Sequence, residues 1–195
     1  MNTRIDLATT IHKCVRKILF EQAMLLARAD YREESTCRDT CAALDRAFVM
    51  LREHADHEDR VIFPALAEID GALGCEAARQ HLGLEKHMRD IERTAAALRF
   101  ATSSERLALG KELAQSFNQF VAAQLAHMAF EEVELQAALW RAKTDEELAA
   151  MRLAIRGLLT PDRGKVWQDL LQASADPVEL SAFGPPPRDP EPLVA

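Results

Sequence analysis

His54-Ala55-Asp56-His57-Glu58 and His127-Met128-Ala129-Phe130-Glu131 share one pattern, a histidine followed by a glutamate one helical turn later. On an α-helix, positions i and i+4 lie above one another on the same face, so each pair can present a nitrogen and a carboxylate to one point. The other two segments of strong helical periodicity carry one such histidine each, His12 and His81. The spacing therefore predicts a metal site formed by side chains from four helices.

The periodicity of the apolar residues is helical through most of the chain, and no stretch shows strand-like alternation. Long segments rich in Ala, Leu, Glu, Arg and Gln favour helix. We predict four long helices near residues 4–29, 35–68, 76–100 and 104–141, with a kink or helix end at Pro64. Short connections between them predict an all-α fold, an up-down-up-down four-helix bundle.

The segments after the fourth helix predict a division of the chain into three parts. We expect the metal-binding bundle over residues 1–142 and a C-terminal helical extension of one or two short helices over residues 143–175. Several prolines follow, as in Gly184-Pro185-Pro186-Pro187, so residues 176–195 are expected to form a flexible Pro-rich tail.

Charge and hydropathy exclude some classes of partner. The 195 residues carry a net charge of −7 without a Lys/Arg cluster, which argues against nucleic acid. No apolar run approaches the roughly 20 residues needed to span a bilayer, so we expect no membrane partner. The first residues lack an apolar signal region, which predicts a cytoplasmic location.

Polar residues interrupt the apolar stripes of the predicted helices. A buried carboxylate without a partner costs several kcal/mol, and metal coordination would compensate for all of these groups at once. A single histidine on such a face is more often a core residue, and a single glutamate more often pairs with arginine. A set spread evenly over four helices is harder to explain separately. The predicted ligands are His12, His54, Glu58, His81, His127 and Glu131.

Glu85 leaves two interpretations open. It lies one turn after His81 on the apolar face, where it could be a further ligand, or it could form an ion pair with Arg16 near the site. His87 steps along a polar face and is read as solvated, and His57 as lying at the edge of the bundle.

The four cysteines do not form a C-x-x-C pair. Cys37 and Cys41 lie at i and i+4 and could share a helix face. We interpret them as small buried hydrophobic residues in a reducing compartment, with a thiol switch as the alternative.

These motifs resemble the hemerythrin-like (HHE cation-binding) family over roughly residues 8–140. The resemblance rests on the run His54-x-x-x-Glu58-Asp59-x-x-Ile62-Phe63-Pro64, on Ile11-His12-Lys13, on Gln80-His81 with Leu84-Glu85, and on His127-x-x-x-Glu131-Glu132. It implies a non-haem di-iron centre with two irons per chain. The two His-x-x-x-Glu carboxylates would bridge the metals, and the histidines would fill terminal positions.

The chain departs from oxygen-carrying hemerythrins at two positions. Glu85 stands where those proteins have a second histidine in the third helix, and Glu131 replaces an aspartate at a longer spacing. Exchanging imidazole for carboxylate favours ferric iron or manganese. The resemblance then implies sensing or handling of iron, O2, nitric oxide or peroxide rather than reversible O2 carriage. A ferritin-like carboxylate site is disfavoured because no Glu-x-x-His motif occurs.

Two functional hypotheses follow. In the first, a di-iron centre keeps one position open for a small diatomic ligand or oxo species, lined by Leu51, Met88 and Phe130; zinc or manganese could replace iron. In the second, the chain is an interaction module whose metal is only structural. Whether the protein is an enzyme stays open, since any catalysis would depend on the metal.

Overall fold

The computed structural model describes residues 4–183, and within this range every regular element is helical. Two five-residue stretches, the first and second π turns, interrupt the α-helices without breaking the chain of hydrogen bonds. The elements are α1 Thr9–Arg28, α2 Glu34–His57, the first π turn Glu58–Ile62, α3 Phe63–Ile69, α4 Gly71–Phe100, α5 Ser103–Phe130, the second π turn Glu131–Leu135, α6 Gln136–Ala142, α7 Asp145–Gly157, α8 Pro161–Ser174 and α9 Pro177–Phe183.

Each π turn joins the two α-helices beside it into one continuous helical segment. The first π turn links α2 to α3, and the second links α5 to α6. Together with α1 and α4, these segments are the four long helical stretches expected from the periodicity. The prediction of an all-α chain is confirmed.

Aspartate side chains set the start of two helices where the prediction was wrong by several residues. Asp6 accepts hydrogen bonds from the backbone N–H groups of Ala8 and Thr9, so α1 begins after it rather than at residue 4. Asp70 accepts from the N–H groups of Ala72 and Leu73, so α4 begins directly at Gly71 instead of near residue 76. Such caps satisfy backbone donors that a helix leaves free at its first turn.

The buried apolar side chains form two clusters. The first apolar cluster is Val15, Leu19, Leu26, Tyr31, Cys37, Cys41, Leu44, Phe48, Leu51, Leu84, Met88, Ile91, Ala95, Leu98, Leu113, Phe117, Phe120 and Met128. The second apolar cluster is Ile62, Phe63, Leu66, Ala77, Leu135, Ala138, Leu139 and Leu148. The segment of α2 and α3 and that of α5 and α6 pass from the first cluster to the second, whereas α4 passes the opposite way. The buried histidines and glutamates lie between the two clusters along these helices.

The C-terminal helices pack against the long ones. Trp167 of α8 is buried and donates its indole N–H to Glu53 at 2.6 Å, and the Arg163 guanidinium binds the same carboxylate at 2.7 Å. Lys13 of α1 reaches Glu179 of α9 at 2.7 Å.

Pro177–Phe183 is helical, although we expected it within a flexible tail. The Pro-rich residues 184–195 of that predicted tail lie outside the described residues. Among residues 4–183, no helix combines the length and the apolar character needed to cross a membrane.

Candidate metal centre

Both His-x-x-x-Glu motifs place their glutamate at the first residue of a π turn. The N–H of Glu58 is still bonded to the carbonyl of His54, but the carbonyl of Glu58 accepts from Phe63, five residues later. The second motif repeats this arrangement, with the carbonyl of Glu131 accepting from Gln136. Pro64 follows only the first turn, so proline is not the common cause. Such turns occur frequently at functional sites.

Two groups of four side chains bring their donor atoms together, and two glutamates belong to both groups. Within each group, one donor atom per residue lies within 4.8 Å of every other. The first group is His12, His54, Glu58 and Glu131, and the second group is Glu58, His81, His127 and Glu131. All six predicted ligands other than Glu85 are therefore assembled at one place.

The oxygens of Glu58 divide between the two groups. Oε1 lies 3.6 Å from His12 Nε2 and 3.4 Å from His54 Nε2. Oε2 lies 3.5 Å from His81 Nε2 in the second group. One carboxylate thus directs one oxygen to each half of the site.

The oxygens of Glu131 divide in the same way. Oε2 lies 3.3 Å from His12 Nε2, whereas Oε1 lies 3.2 Å from His127 Nε2 and 4.0 Å from His81 Nε2. Each half of the site therefore receives two imidazole nitrogens and one oxygen from each carboxylate. Either group could therefore hold a metal ion, and the two groups would share both carboxylates.

Several donor atoms of the site have no hydrogen-bond partner in the described residues. They are the Nε2 atoms of His12 and His54, Oε2 of Glu58 and both side-chain oxygens of Glu131. Leaving a buried polar atom unsatisfied costs roughly 1–3 kcal/mol, and more for a charged group. The unpaired atoms all face one another, so a metal ion would satisfy them together. The donor set fits the metal that the sequence motifs imply.

Three of the four histidines are oriented by an oxygen on their other nitrogen. His12 Nδ1 lies 2.8 Å from Glu132, His81 Nδ1 lies 2.9 Å from Asp59, and His127 Nδ1 lies 2.9 Å from Gln80. Carboxylate and amide oxygens only accept hydrogen bonds, so each Nδ1 is the donor. His12 Nε2 is then left to face the centre, as in metal-binding histidines. The Nε2 atoms of His81 and His127 lie 2.9 Å apart, so one of them donates to the other and would have to lose that proton to bind a metal ion.

Further contacts fix the partners of these histidines. Arg16 binds both oxygens of Glu132, at 2.8 and 3.0 Å. Gln80 donates its amide N–H to Glu76 at 2.8 Å, which turns its oxygen toward His127. The predicted site residues did not include Asp59, Gln80 or Glu132. Their signal was adjacency, since each directly precedes or follows a predicted ligand.

The electrostatics of the centre favour positive charge between the glutamates. Burial raises the pKa of Glu58, but the electrostatic attraction of the surrounding imidazoles, His54 first, outweighs burial and holds the pKa well below its usual range. Burial lowers the pKa of His81, yet the neighbouring carboxylates, Glu58 first, raise it to about 9. His54 is different, because burial lowers its pKa to about 4. A cation between the two glutamates, either a protonated imidazole or a metal ion, would therefore stabilise the centre.

Glu85 lies outside both groups. Its carboxylate accepts from the guanidinium of Arg52 at 3.0 Å and from Arg89 at 2.8 Å. The alternative ion pair with Arg16 is wrong, because Arg16 binds Glu132 instead. A helix face predicted from spacing alone does not reveal that α2 brings an arginine to this point.

The remaining histidines and all four cysteines are also outside the two groups. His57 is buried beside the ring of Trp167, and His87 is exposed as expected. Cys14, Cys37 and Cys41 are buried free thiols, and Cys75 is exposed. Burial raises the pKa of Cys37 and Cys41, which favours their interpretation as small core residues over a thiol switch.

Comparison of the chain with models of protein families, with curated proteins and with solved structures found no match. No protein of established function therefore supplies a role for these residues.

Proposed function

We propose that this chain is a non-haem di-iron protein of the hemerythrin-like kind. One observation carries the proposal, namely that Glu58 and Glu131 each direct one oxygen to each half of a buried site. A purely structural ion pair would not need this division. Two metal ions bridged by two carboxylates would use all four oxygens and leave no ligand atom of the site unpaired.

The order in which the helices pass the two apolar clusters supports a four-helix bundle. Leu51 lies in the first cluster and Ile62 in the second, whereas Ala77 of α4 lies in the second and Leu84 in the first. Neighbouring long helices thus run in opposite directions, as in an up-down-up-down bundle. A bundle of this kind holds metals between facing helices, and here the donors lie at the level between the clusters.

The donor chemistry supports iron. Imidazole suits iron and zinc, carboxylate suits harder ions, and the mixture in each half is typical of non-haem iron. Each half offers four donors, so a six-coordinate iron would keep positions for a small diatomic ligand or an oxo species. When bound, the metal would supply that ligand-binding and redox chemistry. The chain would orient the imidazoles through Asp59, Gln80 and Glu132 and exclude water with the apolar clusters.

The role we propose is sensing or handling of iron, O2, nitric oxide or peroxide in the cytoplasm rather than reversible O2 carriage. Glu85 supports this choice. It stands where an oxygen carrier has an additional histidine ligand, and its carboxylate is paired with Arg52. The alternative is an interaction module with structural zinc. It has support too, because two nitrogens and two oxygens per half would close a tetrahedral zinc site.

Elemental analysis of anaerobically purified protein, with absorption spectra before and after admission of air, separates the two. About two irons per chain and new near-ultraviolet bands on oxidation are expected for the di-iron protein. Two zinc ions and a spectrum that does not respond to air, peroxide or nitric oxide would favour the structural role. Absence of bound metal would overturn both.

A further inference from the structure

A cavity of about 690 Å³ opens beside the candidate metal centre, between α2, α3 and α4. Two of the proposed ligands, His54 and His81, form part of its wall. His54 is 4% exposed, and its Nε2 has no hydrogen-bond partner within the described residues. The cavity therefore connects the surface near Cys75 with side chains of the buried centre.

The size of the cavity exceeds what a diatomic ligand needs. A water molecule takes a share of about 30 Å³ in the liquid, and a diatomic molecule is of similar size. The cavity is roughly twenty times larger and falls within the range of small-molecule sites, about 300–1,000 Å³. A route for O2 alone would not need this space.

The charged groups at the cavity are already neutralised. Arg52 is held by Glu85 at 3.0 Å and by Glu92 at 2.6 Å. Asp56 binds Arg60 at 3.0 Å. Asp59 binds His81, and so no charged side chain of the wall lacks a partner.

Apolar side chains supply the rest of the wall. Leu51, Phe63, Leu84 and Met88 line its inner part, and small alanines line its outer part. An ionic ligand would find no free counter-charge among these groups, whereas an apolar surface gains about 25 cal/mol per Å² on burial. The lining thus favours a neutral ligand.

A second, much smaller cavity lies on the other side of the centre. It measures about 10 Å³ and is lined by Glu58, Glu131 and aliphatic side chains such as Ile62 and Leu139. Only one water-sized molecule fits there. This cavity is too small for an organic ligand, whereas the large cavity reaches His54 and His81.

We propose that the large cavity binds a neutral organic molecule with an apolar body, one end of which lies against His54 and His81. The inference deepens the proposed function, because it gives the metal centre an organic substrate or effector in addition to a diatomic ligand. Glu85 and Arg52 both belong to the wall of the cavity and are paired with each other at 3.0 Å.

Calorimetric titration of the protein as purified with the neutral probe 1-N-phenylnaphthylamine tests the proposal. Ala78 of α4 is exposed and lines the cavity, so the indole of Ala78→Trp would occupy space that the ligand needs. Ala96 is exposed on the same helix away from the cavity, so Ala96→Trp is the matched control. We expect one saturable site whose affinity falls at least tenfold in Ala78→Trp and changes less than twofold in Ala96→Trp.

Chemical modification of Cys75 provides a second measurement, which needs no substitution of a buried residue. Cys75 lines the cavity and is exposed, whereas Cys14, Cys37 and Cys41 are buried. N-cyclohexylmaleimide should therefore modify Cys75 selectively and abolish probe binding, while Cys75→Ser treated alike keeps it. Probe present at saturation should slow the modification.

Absence of saturable binding would overturn the cavity as a ligand site. So would a probe affinity in Ala78→Trp and in the maleimide-treated protein that equals the affinity of the unmodified wild-type protein. The metal content of the same samples is measured independently by elemental analysis. Failure of the di-iron proposal would show there, and failure of the cavity proposal in the titration, so the two outcomes are distinguishable.

Discussion

Glu58 and Glu131 both approach one imidazole nitrogen, His12 Nε2, at 3.6 and 3.3 Å, and each turns its second oxygen to the opposite half of the site. The two carboxylates come from different helical segments and from equivalent positions in two π turns. Neither half of the site is complete without both of them. This sharing determines how the site should respond to single substitutions.

Glu58→Gln should remove both metal ions, because the amide keeps the size of the side chain but withdraws an anionic oxygen from each half. We expect metal content to fall from about two ions per chain to well below one by elemental analysis. Glu85→Gln is the control and should keep full occupancy, since Glu85 binds Arg52 and Arg89. Two ions retained in Glu58→Gln would contradict bridging.

His54→Ala should affect only one half of the site. His54 belongs to the first group alone, so the second group keeps its two imidazoles and both carboxylates. The expected content is about one ion per chain, measured on protein whose helicity is unchanged by circular dichroism. Loss of both ions would indicate that the halves cannot fill independently.

Glu132→Gln should weaken metal binding without removing a ligand. Glu132 accepts the Nδ1–H of His12, and a neutral amide in place of this carboxylate lowers the basicity of the imidazole; changes to such partners typically lower metal affinity by about 10- to 100-fold. The measurement is a competition titration against a coloured chelator. Glu134 is exposed in the same π turn, and Glu134→Gln should leave the affinity unchanged. Equal effects of the two variants would argue against an orienting role.

Removal of the metal should lower the melting temperature, because it leaves the buried ligand atoms of the site without a partner. Free metal at 100 times its Kd stabilises a protein by about 2.7 kcal/mol. For a chain of this size, that corresponds to a rise in Tm of roughly 5–10 °C. Differential scanning calorimetry with and without chelator measures the shift. Glu58→Gln, which lacks the site, should show no response to added metal.

Gly110→Ala should destabilise the packing of α5 at a point remote from the candidate metal centre. A Cβ built at Gly110 would lie 2.2 Å from the ring of Tyr31, which is buried and donates its hydroxyl to the carbonyl of Leu26. Overpacking of this kind costs about 1–3 kcal/mol, which urea unfolding would detect. Gly83→Ala is the control, since nothing lies within 4 Å of a Cβ there. It should instead stabilise α4 by about 0.5–1 kcal/mol. Similar changes in the two variants would be inconsistent with the close packing of Tyr31.

The positions of the six residues of the two groups could be predicted from the sequence because they depend on helical spacing. His54 and Glu58, or His127 and Glu131, must lie on one face if the segment is helical, and the apolar residues around them show which face is buried. Leu51 and Met88, which were expected to line an open metal position, lie in the wall of the large cavity. Phe130, the third residue expected there, packs instead against the second apolar cluster.

The partner of Glu85 could not be predicted in this way. A long carboxylate at the border of a buried face can turn toward the core or toward a neighbouring helix, and the choice depends on what that helix presents. Arg52 of α2 decides it here, and its relation to Glu85 is not local in sequence. The π turns were also missed, because the residues after Glu58 and after Glu131 share no proline or glycine signal.

The two π turns have a consequence for how the chain tolerates changes of length. Deleting one residue inside an ordinary α-helix rotates everything after it by about 100° relative to what precedes it. A turn closed by a five-residue hydrogen bond, as at Glu58 and Glu131, already holds one residue more than the α-helix requires. Loss of an exposed residue such as Arg60 or Val133 would restore regular helix while both apolar faces stay in place. The donors could thus be repositioned, or lost, without refolding the rest of the molecule.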